Sequence, residues 1–172
     1  MKRLVGMVLA VVMGIFCMGV NVFAETSTAC KTPIGVESNN PYFAEGIYNS
    51  NNYSKNDLRS YSAGLINDYS IYLSNDGNRN ITITGKTVAS DIMESVGFTS
   101  ISIKRWNGST WEIEKSISDQ LGSNKKLHTM NYSTTISGGY NYKLTVNHYA
   151  KASGLFGGSQ SVFNETSYIW IA

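Results

Sequence analysis

Cysteine and histidine each occur only twice in this 172-residue chain, and both scarcities exclude something. Cys17 falls inside an apolar opening stretch, so the part beyond it holds only Cys30 and cannot form an internal disulfide. The fold must therefore hold without covalent staples. His128 and His148 have no third ligand at a metal-like spacing, and no Gly-x-Ser-x-Gly elbow accompanies them. A zinc site and a serine or cysteine hydrolase thus both lack their parts. No phosphate-binding glycine loop and no dinucleotide fingerprint occurs either. Helical periodicity is missing too: Asp91-Ile-Met-Glu94 is the only candidate turn of helix, too short to stand alone.

Charge is scarce and balanced. The chain has 14 basic and 12 acidic residues, and Lys2 and Arg3 supply two of the basic ones. Beyond the opening stretch the balance is neutral, which argues against nucleic acid or an anionic membrane as partner.

The opening itself has a recognisable form. Met1-Lys2-Arg3 precedes an apolar block from Leu4 to Val20, and Val22-Phe23-Ala24 presents small residues where a signal peptidase cuts. Residues 1–24 are expected to be a secretory signal peptide; the rival is an uncleaved anchor, against which Gly6, Gly14, Gly19 and Ala24 speak. Phe16 before Cys17 does not suit lipidation, and Cys30 lies well past the block. No sorting motif follows Trp170-Ile-Ala172. The expected destination is extracellular, with no membrane contact after cleavage.

Residues 25–63 are rich in Asn, Ser and Tyr and show no apolar period. They read as a polar, partly disordered arm: either a tether or a recognition arm carrying Tyr42, Phe43, Tyr48, Tyr53 and Tyr61.

Residues 64–172 alternate like strands. Tyr69, Ile71 and Leu73 share a face, Asn75-Asp-Gly-Asn78 supplies a turn, and Ile81 and Ile83 resume the alternation. That turn lacks the carboxylates of a calcium loop. Val96 and Phe98 alternate on one parity and Ile101 and Ile103 on the other, which predicts a β-bulge near Thr99 to Ser100. Ile101 to Trp106 and Trp111 to Ile117 flank Asn107-Gly108 as a hairpin. A polar loop is expected around Gly122 to Lys126, then His128, Met130, Tyr132, Thr134 and Ile136 alternate. Gly139-Tyr-Asn-Tyr-Lys-Leu-Thr-Val-Asn-His-Tyr149 reads as a central strand with Tyr140, Tyr142, Leu144, Val146 and His148 on its dry side. A glycine-rich loop with Leu155 and Phe156 leads to Tyr168-Ile-Trp-Ile171, the closing strand. About seven strands without helix predict an all-β fold: a two-sheet immunoglobulin- or fibronectin-III-like sandwich, with a small β-barrel as the alternative.

Two resemblances add to this. Tyr140-x-Tyr-x-Leu-x-Val, His148, the glycine loop and the run from Thr166 to Ile169-x-Ile171 resemble the last hairpin of fibronectin-III-like domains. Lys104-Arg-Trp-Asn-Gly-Ser-Thr-Trp111 with Gly139-Tyr-Asn-Tyr142 and His148 is similar to a group of small secreted proteins of Gram-positive bacteria. That resemblance implies fold and secretion and brings no activity with it.

For function, Trp106 and Trp111 either pack across their hairpin or stack a sugar ring. Glu112 and Glu114 lie on one solvated side, an arrangement that guards an edge rather than a glycosidase pair. His148 reads as a satisfied core histidine. The leading expectation is a secreted, non-enzymatic module that binds an extracellular glycan or protein through Trp106, Trp111, Tyr149 and Phe156, without cofactor or metal. The alternative is a secreted effector or assembly subunit acting by strand pairing or through the arm. A small hydrolase comes third.

Overall fold

A computed structural model describes residues 31–46, 64–154 and 157–172. The leader, Cys30, Tyr48, Tyr53, Tyr61, Leu155 and Phe156 lie outside the described residues.

The described residues form eight strands: β1 (Phe43–Glu45), β2 (Ile66–Gly77), β3 (Asn80–Trp106), β4 (Trp111–Ile117), β5 (Gln120–Thr135), β6 (Tyr140–Lys151), β7 (Ser159–Glu165) and β8 (Ile169–Ile171). All strand pairings are antiparallel. They join in one sheet in the order β1-β2-β3-β6-β7, with β4 and β5 on the other edge of β3 and β8 on β6. The fold is all-β, as its alternations imply. The sheet curls on itself, and the half-barrel it makes fits the small-barrel alternative.

The curl is written into β3, whose 27 residues serve both walls. Its first half pairs with β2 and β5, its second with β6, β4 and, from Met93 to Phe98, the start of β5. Phe98 folds back so far that its ring fills the space a Cβ on Gly85 of the same strand would need. Gly97 is required at the bend: its φ is +153°, and a Cβ there would lie 2.0 Å from the Gln120 carbonyl. The register against β6 slips between Thr99 and Ser102, and Ser100 has φ 52°. This is the bulge that the change of parity predicts, and it turns Ile101 and Ile103 inward with Phe98.

Inside the curl, Ile71, Leu73, Ile81, Ile83, Phe98, Ile101, Ile103, Tyr142, Leu144, Val146, Ile169 and Ile171 form one core. Ile66, Ala89, Met93, Val96 and Ala150 form a second. Strand β6 is buried on its inner face from Tyr142 to Ala150, but Tyr140, expected on that dry side, is exposed at the strand's start. Among the described residues no helix is long and apolar enough to cross a membrane.

Four local expectations are corrected. The β2–β3 turn sits at Asn78 and Arg79, both at positive φ, not at Asp76-Gly77. The core decides this: the observed register sets Leu73 against Ile83, whereas a turn at Asp76-Gly77 would set buried Leu73 against Asn80. Asp91-Ile-Met-Glu94 is extended within β3, because Met93 points into the second core while Ile92 faces solvent. Gly122 to Lys126 belongs to β5 rather than to a loop, with left-handed Asn124 absorbing a kink. Finally, residues 31–46 of the polar arm pack on the sheet.

That packing links the margins of the curl. β1 pairs with β2, and Ala44 enters the core. On its other side Gly46 bridges Thr166, and Ser167 N–H donates to Glu45 O at 3.0 Å. Before β1, Glu37 pairs in parallel with Tyr168, through Tyr168 N–H to Val36 O and Ser38 N–H to Tyr168 O.

Candidate binding faces

The Asn107-Gly108 hairpin forms as expected. Trp106 opposes Trp111, and Asn107 Oδ1 accepts from the N–H groups of Ser109 and Thr110, which fixes the turn. The two indoles meet edge to face, centroids 5.4 Å apart, so they pack across the hairpin. Trp106 is 4% exposed and donates Nε1–H to Lys31 O; Trp111 is partly exposed and donates to Ile34 O. Residues 31–38 thus lie over this face as a strap. Beneath it, Lys143 sits 4.9 Å from the Trp111 ring and 2.8 Å from Glu165, and Tyr168 packs 6.0 Å from Trp111. Arg105 holds Glu114 at 3.1 Å and covers Tyr140, which neutralises the acidic edge of β4.

Tyr149 is half-buried and opposes Gly97, while Tyr142 opposes Arg105 beside the hairpin. Seven residues of strand separate the two pairs, roughly 23 Å. The structure therefore does not bring Tyr149 to the tryptophans, and Phe156 lies outside the described residues.

His148 is wholly buried between Phe98 and Tyr69. Its Nδ1 lies 2.8 Å from Thr87 Oγ1, which also bonds Gly97 O at 3.0 Å. Burial lowers its pKa to about 4, only partly offset by Asp68. Asp68 is itself taken by Lys86 at 2.7 Å, which holds the carboxyl below its usual range. His128 faces Phe98 from β5, and burial lowers its pKa as well. Among the described residues no group of three His, Cys, Asp or Glu side chains is placed to hold a metal.

The outer face of β1, β2, β3 and β5 carries a different arrangement, which the local sequence does not reveal. Register places Tyr72 beside Thr84 and Thr84 beside Asn131; one row on, Ser70, Lys86 and Thr129 align. These residues line an open groove of about 510 Å³. The Tyr72 ring is stacked on Phe43 of β1, centroids 5.1 Å apart and planes inclined by 22°. The Lys86 charge is matched by Asp68. The only sequence signal is the polar parity of three separate strands, and nothing local says that they will be neighbours.

Compared with family models, curated proteins and solved structures, the chain matches none.

Proposed function

We propose that this protein is a secreted, non-enzymatic binding module of the extracellular space or cell envelope, with a neutral glycan as ligand. The observation that carries the reading is the Tyr72 groove. A ring held in place by Phe43 stands next to Thr84, Thr129 and Asn131, whose side chains make no hydrogen bond among the described residues. An aromatic face beside free hydroxyl and amide groups suits a sugar, which has an apolar face and a hydroxyl rim. The groove's one cation is paired, so no net charge calls for an acidic ligand. Trp111 is a second, smaller platform; Trp106, with its ring closed off, supports it from behind.

A sandwich-like reading of the fold would agree with this, because layered sheets present their outer faces to ligands. The experiment is a pull-down of the purified secreted protein on Gram-positive cell wall and a glycan panel, with Tyr72→Ala and Trp111→Ala beside it. Saturable binding weakened about tenfold or more by Tyr72→Ala supports the reading. Binding that ignores Tyr72 moves the site elsewhere, and absence of binding by folded protein removes the glycan.

Strand pairing is the second reading. It is favoured by the long edge of β5, which among the described residues hydrogen-bonds to β3 alone.

A further inference from the structure

The edge of β5 that has no strand partner among the described residues has two unlike halves. From Gln120 to Lys126 it carries Lys125, Lys126, left-handed Asn124 and a register break against β3. Charge and kinks of this kind keep other strands from adding to an edge. From Leu127 to Thr135 it carries none of them. Leu-His-Thr-Met-Asn-Tyr-Ser-Thr-Thr has no Asp, Glu, Lys, Arg, Pro or Gly, and it pairs with Val88 to Asn80 residue for residue without a shift.

Other edges are guarded. β4 bears Glu112, Glu114 and Lys115. At β7, the Gln160 side chain already accepts the Ile66 N–H at 2.9 Å. Leu127–Thr135 has no charged residue of its own; Lys115 of β4 reaches Thr134 Oγ1 at 2.5 Å and lies 5.8 Å from the Tyr132 ring, on the parity opposite to Thr129 and Asn131, which leaves the outer row without a guard.

We propose that a second copy of this chain adds to Leu127–Thr135, antiparallel and two-fold symmetric about Asn131. In that register Leu127 lies opposite Thr135 of the second copy, and Thr129 opposite its Ser133. An isologous pairing needs a self-complementary edge, and an uncharged Thr/Ser/Asn run meets that need. The same register sets Lys125 of each copy opposite Ser137 of the other, whose hydroxyl is 2.9 Å from Glu114 Oε1. Lys125 thereby approaches Glu114, which Arg105 already holds at 3.1 Å, so it joins a paired cluster rather than a free carboxylate on each side of the axis. The strand's guarded half falls outside the paired stretch.

Residues directly opposite in an antiparallel pair point to the same face. Thr129 and Asn131 line the Tyr72 groove, so pairing would run two grooves into one continuous trough across the axis. This last consequence rests on the glycan reading; the pairing itself does not.

The test is the mass of the purified secreted protein in solution, by sedimentation equilibrium under reducing conditions. Ser133 is exposed and outside the groove lining of its own copy, its hydroxyl 2.8 Å from Thr82 Oγ1, so Ser133→Lys places a charge on the edge and leaves every groove-lining residue unchanged. A dimer that dissociates on dilution is expected for the native chain, and a monomer with an unchanged circular dichroism spectrum for Ser133→Lys. Asn131→Cys in a Cys30→Ser background is expected to cross-link to itself under oxidation, because opposed Cα atoms lie about 4.5–5.5 Å apart, within disulfide reach. Tyr72→Ala is expected to stay dimeric, which separates this proposal from the glycan reading. A native chain that is monomeric at every concentration overturns the proposal. So does a Ser133→Lys chain that remains a dimer, or an Asn131→Cys chain that cross-links no faster than Asn78→Cys at the exposed turn.

Discussion

Thr87 fixes the tautomer of His148. The threonine hydroxyl donates its one proton to Gly97 O, so toward His148 it can only accept, and the imidazole must carry its hydrogen on Nδ1. The bare Nε2 is then left buried with no hydrogen-bond partner among the described residues. A neutral ring suits this site and a charged one does not.

Stability should accordingly fall as pH drops from about 6.5 to about 4. Unfolded His148 binds a proton in that window and the folded ring does not, so the stabilisation is complete above the unfolded pKa and lost on the way down to the folded one. The full effect is on the order of 3 kcal/mol. His128 acts with the same sign. Urea midpoints measured across this range should flatten in His148→Phe; an equally steep decline in that variant would assign the effect to other groups. Asp68, whose pKa is lowered by Lys86, contributes only below about 3.8.

Thr87→Val removes the hydroxyl from both His148 and Gly97 while keeping the side-chain shape. Two buried polar groups lose their partner, a cost of about 2–4 kcal/mol in a urea titration. A loss under about 0.5 kcal/mol would mean that the relay does not hold the bend.

Gly97→Ala should be the more severe change. The added methyl would sit 2.0 Å from the Gln120 carbonyl in a backbone conformation that disfavours any side chain. We expect a loss of about 3 kcal/mol or more, or failure to accumulate as folded protein. Gly77→Ala is the control: its Cβ meets nothing within 4 Å, and only the positive φ opposes it, at about 1 kcal/mol.

Trp106→Phe keeps an aromatic ring but loses the indole bond to Lys31 O. The strap should loosen, so the amides of Lys31 and Ser38, which bond Gly108 O and Tyr168 O, should exchange faster with deuterium. The β3–β6 amides should keep their protection. Unchanged exchange at Lys31 would mean that the strap is held by other contacts.

Much of the fold was legible because its signals are local. The dry face of β6, the Asn107 hairpin and the bulge after Phe98 each follow from alternation within one or two neighbouring strands. At the β2–β3 turn Asp-Gly is a strong local signal, yet pairing Leu73 with Ile83 in the core outweighs it and moves the turn to Asn78 and Arg79. The strap and β1 were hidden by composition: only Ala44 enters the core, and residues 31–34 contribute backbone carbonyls to distant indoles rather than apolar side chains. The candidate site was least legible. Trp106 and Trp111 drew attention as tryptophans beside a turn, whereas Tyr72, Thr84 and Asn131 become neighbours only through the register of three strands.

The most direct test of the central claim is the affinity of the native protein and of Tyr72→Ala for soluble neutral glycan fragments, measured by isothermal titration calorimetry on both folded chains. Saturable binding to the native protein that weakens about tenfold or more in Tyr72→Ala, with Trp111→Ala much less affected, is the predicted result. Equal affinity in the Tyr72 variant, or no heat from any glycan with the native chain, would contradict it.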